Sequence, residues 1–93
     1  MTFDEYYEKT EKQLTEMMYS TDDRFRRMDL ENQRSFLGRI KVGNDKIYDE
    51  ARERIMHGLE SYHGEDANIR VLEDVDQWMC GLAMKKIYGN KEE

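Results

Sequence analysis

Four residues in the second half of the chain have the types and the spacing that metal or acid–base chemistry uses: Glu53, His57, Glu60 and His63. On a helix the first three follow at i, i+4 and i+7. Glu60-Ser-Tyr-His63 reproduces the Glu-x-x-His step of carboxylate-bridged di-iron bundles, which need two such motifs and a further Glu from each of two other helices. The chain holds one copy. Helical rotation also turns Glu53, His57 and Glu60 away from Ile55, Leu59 and Tyr62, the face that must be buried. The expectation is a solvated face carrying two histidines, with no metal and no cofactor.

Cys80 is the single cysteine, so no intrachain disulfide forms. It lies beside Trp78 and Met79, where a free thiol behaves as a small hydrophobe. A nucleophilic thiol needs a base or another device that lowers its pKa, and the spacing of the chain supplies none. The sequence contains no Gly-rich phosphate loop, Gly-x-Ser-x-Gly turn or paired-cysteine zinc spacing. A protein that is not an enzyme, with no catalytic residues, is expected.

Charge offers two binding chemistries instead. Segment 21–42 is net positive, while the rest of the chain is net negative. Within that segment Arg24, Arg27, Arg34 and Lys41 recur at three- and seven-residue steps, with Arg26 and Arg39 beside them. Such a stripe suits contact with the phosphates of a nucleic acid, or pairing with acidic helices on either side. The opposite chemistry belongs to Glu65, Asp66, Glu73, Asp74 and Asp76, five carboxylates within roughly 18 Å of helix. Duplex DNA carries about ten charges over that length. Mimicry of nucleic acid therefore requires Asp49, Glu50 and Glu53 of the preceding helix as well, and plain complementarity to a basic surface asks for less. Tyr6, Tyr19, Tyr88 and Met84 are expected off the core stripes, as the adaptable side chains that anchor interfaces.

These side chains must be positioned by helices. Proline is absent and glycine punctuates the chain: Gly43, Gly64 and Gly89 each follow an amphipathic stretch, where a left-handed residue ends a helix. Thr2-Phe3-Asp4-Glu5 reads as a capping box opening a helix over 3–19, with Phe3, Tyr7, Thr10, Leu14, Met17 and Met18 on one face. Ser20 to Asp23 cap a second helix over 21–42, whose stripe is Phe25, Met28, Leu30, Phe36, Leu37 and Ile40, and which Asp29 is able to split. A third helix over 45–63 buries Ile47, Tyr48, Ala51, Ile55, Leu59 and Tyr62. A fourth over 66–88 buries Val71, Leu72, Val75, Trp78, Met79, Leu82, Ala83 and Ile87, and a charged tail, 90–93, follows. Connections of two or three residues force antiparallel neighbours, so the expected fold is all-α, a compact up-and-down bundle of about four helices. Gly38, Gly58 and Gly81 fall inside helices, where close helix approach is the ordinary reason for a glycine.

The 93 residues suffice for one domain, 1–93. Charged residues make up 39% and apolar ones 38%, enough of the latter for a core. The caps and stripes are generic to helical bundles and single out no family. The start of the chain is not a secretory signal and no apolar run spans a bilayer, which points to a cytoplasmic protein with no membrane partner. A net charge of −6 favours a basic partner.

The function expected from these readings is a small, acidic protein-binding module, an inhibitor or adaptor that occludes a basic surface of a larger protein. Chains of this size and charge suit phages and mobile elements, as counter-defence (anti-CRISPR) proteins against a nuclease or CRISPR effector. The alternatives are a nucleic-acid-binding module working through Arg24, Arg27, Arg34 and Lys41, and a self-associating bundle, a homodimer that buries leftover apolar surface near Trp78.

Overall fold

The computed structural model describes residues 1–88, with side chains as far as Lys86. Four helices follow one another: α1 (Phe3–Ser20), α2 (Arg24–Val42), α3 (Lys46–Gly58) and α4 (Ala67–Tyr88). The fold is an all-α bundle, and no strand occurs among the described residues. Gly89, the charged tail and the side chains of Ile87 and Tyr88 lie outside what is described.

Each helix starts where local chemistry supplies a partner for its free amides. Thr2 and Glu5 form the expected capping box, each side chain accepting from the other's backbone N–H at 3.2 and 3.0 Å. Asp23 caps α2 by accepting from the amides of Phe25 and Arg26. That starts α2 at Arg24 rather than 21, and it runs unbroken through Asp29. At the far end of α2, the Arg52 guanidinium of α3 donates to the carbonyls of Ile40 and Gly43 and ties the two helices together.

Ion pairs set the direction of the first two helices. Glu11 meets Arg34 and Asp4 meets Lys41, so partners descend along α2 as they ascend along α1, an antiparallel hairpin. A second hairpin joins α3 to α4: Arg54 lies against Trp78, while Gly58 lies against Val71. A Cβ added to Gly58 would come within 2.5 Å of the Val71 Cγ2, so here glycine does permit close approach. The two hairpins meet across a core that contains Tyr6, Leu14, Leu30, Leu37, Ile40, Ile55 and Leu72, all fully buried or nearly so. The Tyr6 hydroxyl donates to the Asn68 carbonyl at 2.7 Å and the Gln13 amide donates to that of Glu65 at 2.8 Å, linking α1 to the start of α4.

Several expectations give way. Helix α3 ends at Gly58, not 63, because the next amides turn tightly: Glu60 and Ser61 bond back three residues, to His57 and Gly58. The connection to α4 therefore spans 59–66 and is longer than two or three residues, with Gly64 at φ +107° supplying its left-handed turn. Gly43 ends α2 at φ −65°, not in a left-handed conformation; the Tyr48 ring sits where its side chain would be. Gly38 and Gly81 face open space, so close approach does not explain them. Tyr6, expected off the core, is fully buried, because the α1 stripe is wide enough to include positions 6, 10 and 14. Phe25 and Met28, assigned to the core stripe of α2, are exposed, as are Leu82 and Ala83 on α4. Cys80 is exposed as well, as is every residue from Gly81 to Lys86.

Candidate functional site

An open groove of about 550 Å³ lies between α3 and α4. Helix α3 contributes Glu50, Glu53, Arg54 and His57 at steps of three and four, which place them on one edge. Helix α4 contributes Val71, Asp74, Val75 and Trp78 by the same rule, and Tyr62 closes one end from the connection. Gly58 opposite Val71 sets the narrow approach at its base. The groove thus has an apolar and aromatic floor between carboxylates.

Its electrostatics are partly satisfied from within. The Arg54 guanidinium lies 4.2 Å from the centre of the Trp78 ring and 3.6 Å from the Glu50 carboxylate, a cation on an aromatic face with an acid beside it. The Tyr62 hydroxyl donates to Asp74, and the carboxylate that accepts this bond holds the phenol pKa above its ordinary value. Glu53 has no ion-pair partner among the described residues. His57 stands 3.9 Å from Glu60, both well exposed.

Of the eight carboxylates singled out in the sequence, the groove gathers Glu50, Glu53 and Asp74. Asp49 is drawn off to Arg52 and Asp66 to Arg70, and neither lines the groove. Glu73 turns toward α2 and accepts from Gln33 at 3.2 Å; Asp76 faces Cys80. Glu65 lies on a different surface, beside Lys9 and Lys12 of α1. Spacing along α4 turns carboxylates at 73, 74 and 76 in three directions, but it does not say which neighbour each direction meets. Trp78, Tyr62 and Arg54 were not among the expected site residues. A signal for Arg54 was present, since Glu50 and Arg54 stand four apart on α3.

The basic stripe is also divided. Arg34 and Lys41 pair with Glu11 and Asp4, and Arg27 donates to the Thr21 carbonyl. Arg24 has no ion-pair partner among the described residues and stands at the exposed tip of the first hairpin. Glu60 and His63 fall in the connection rather than on a helix, so the helical three-residue step that would align them does not exist. Among the described residues no group of three or more His, Cys, Asp or Glu side chains gathers to hold a metal ion. No described helix is long and apolar enough to cross a membrane.

The chain matches no protein-family model, no curated protein and no solved structure.

Proposed function

We propose that the protein is a non-enzymatic binding module whose α3–α4 groove receives a basic segment on the surface of a larger protein. The observation that supports this reading is the placement of Glu50, Glu53 and Asp74 around the Trp78 and Tyr62 rings in one groove. An arginine or lysine of a partner has an apolar stem and a cationic head, and the groove offers an apolar floor and acidic edges to match. Arg54 on Trp78 is the intramolecular version of that contact. The chain's net charge of −6 would add long-range attraction to a basic surface and speed capture. A basic cleft of a nucleic-acid enzyme, such as a nuclease or CRISPR effector, is the target this chemistry suits best, with the module acting by occlusion.

Trp78 is the sole tryptophan, so its fluorescence reports the groove directly. Titration with an arginine-rich peptide is expected to change the Trp78 emission saturably, while a glutamate-rich peptide of equal length leaves it unchanged. Glu50→Lys with Glu53→Lys should weaken the arginine-rich peptide by at least about tenfold. Binding that survives this double reversal would overturn the reading.

A further inference from the structure

The first turns of α2 are exposed on every side: residues 24–29 all face solvent, and Leu30 is the first that is buried. Two of them are large and apolar, Phe25 at 80% exposure and Met28 at 55%, with Tyr19 at 87% in the last turn of α1 at the same hairpin end. Phe25, Met28 and Asn32, at steps of three and four, share one face of the helix and line a shallow groove of about 490 Å³ with Arg26 and Asp29. Phe36 continues that line four residues on and is buried in the core. The exposed face therefore adjoins the edge of the buried stripe of α2 at Phe36.

The charges around it cancel. Residues 23–31 hold Arg24, Arg26 and Arg27 against Asp23, Asp29 and Glu31. A polyanion such as nucleic acid calls for a net positive surface and a basic partner for a negative one, and this face is neither. Neutral patches built of both signs fit a surface carrying the same signs in reverse order, and an antiparallel copy of the helix has that order. Laid face to face about a two-fold axis with Arg26 level with Asp29 of the second copy, α2 also brings Arg24 level with Glu31 of the second copy. The same two pairs repeat on the other side of the axis. Phe25 and Met28 then fill the seam with their symmetry mates. None of Arg24, Arg26, Asp29 and Glu31 has an ion-pair partner within the chain among the described residues.

We infer that the exposed face of Arg24 to Asn32 binds a second copy of this chain through an antiparallel α2–α2 contact, leaving both α3–α4 grooves open. A seam of two to three helical turns is small for a protein interface, so association in roughly the micromolar range is expected.

Sedimentation equilibrium of the purified, nuclease-treated full chain tests this. The expected result is a monomer–dimer equilibrium that Phe25→Asp shifts to monomer. Arg26→Asp and Asp29→Arg, each placing like charges opposite one another twice, should each weaken the dimer by roughly tenfold. Combining the two exchanges the signs across the axis and should restore the dimer to near the original affinity. All three residues are exposed, and unchanged helical circular dichroism would confirm that the variants fold. A chain that stays monomeric at every soluble concentration overturns the inference. So does a dimer indifferent to Phe25→Asp, as expected of an interface near Trp78, or a double variant no stronger than its parents.

Discussion

The two hairpins of the molecule are built to opposite ends. Between α1 and α2 the contact is sealed: Tyr6, Leu14, Leu30, Leu37 and Ile40 are fully buried or nearly so, and Arg34–Glu11 and Lys41–Asp4 bridge from helix to helix. The second hairpin buries side chains that are smaller on the whole, Ala51, Ile55, Ile69, Val71, Leu72 and Val75, and Tyr62 and Trp78 remain half exposed. The ion pairs of α3, Arg52–Asp49 and Arg54–Glu50, run along that helix and leave the crossing to α4 without one among the described residues. A chain this short has a limited stock of apolar surface, and most of the largest buried side chains, Tyr6, Phe36, Leu14, Leu30 and Leu37, are placed on the first hairpin. The second keeps aromatic and acidic groups at the surface, which is what a binding groove requires.

Leu37→Ala, in the sealed hairpin, should lower stability by about 2–5 kcal/mol in urea denaturation, because it removes a fully buried side chain and leaves a cavity. The contrast breaks if the half-buried Trp78, truncated to alanine, costs as much. Gly58→Ala, at the base of the groove, should cost about 1–3 kcal/mol, since the new methyl meets Val71 at 2.5 Å. Gly38→Ala, on α2 with nothing within 4 Å, should instead stabilise by up to about 1 kcal/mol, and thermal melts of the pair read the difference. The smallest effect concerns helix starts. The Glu5 carboxylate pKa is lowered by the hydrogen bond from the Thr2 backbone amide and then by the Thr2 hydroxyl. Its contribution is therefore fully present above the ordinary carboxylate range and is lost as pH falls through the lowered Glu5 value. Protection of the first-turn amides of α1, read as amide exchange relative to the intrinsic rate at each pH, should fall over that acidic window. The first turn of α3, where Asp45 makes no capping bond, has no such bond to lose.

Much of this architecture was legible in the sequence, for identifiable reasons. Thr2 and Glu5 announced α1 because a capping box is a local device, and Asp23 likewise opened α2. Leu30, Phe36, Leu37 and Ile40 were legible as core because periodicity survives wherever a helix is covered along its length. Phe25, Met28 and Leu82 defied the same periodicity because they are left uncovered by the neighbouring helices, and no single-helix pattern encodes what a neighbour covers. Tyr6 failed in the other direction, its hydroxyl finding the Asn68 carbonyl, a partner 62 positions away that spacing cannot reveal. Of the candidate site, Glu50, Glu53 and Asp74 were legible as acids, but only the crossing of α3 and α4 unites them and parts them from Asp49, Glu73 and Asp76.

The exposure of Cys80 has a practical consequence. It is the one cysteine of the chain, it sits in the exposed last turns of α4, and no core contact depends on it. Reduced protein therefore carries a single attachment point that a thiol-selective dye or spin label can reach without unfolding anything. The point lies two residues from Trp78, close enough to the groove to register an arriving ligand and on a different helix from the α2 face proposed to pair. One label on otherwise unaltered protein thus reads both surfaces separately: quenching near Trp78 for the groove, and the label-to-label distance between two copies for the pair.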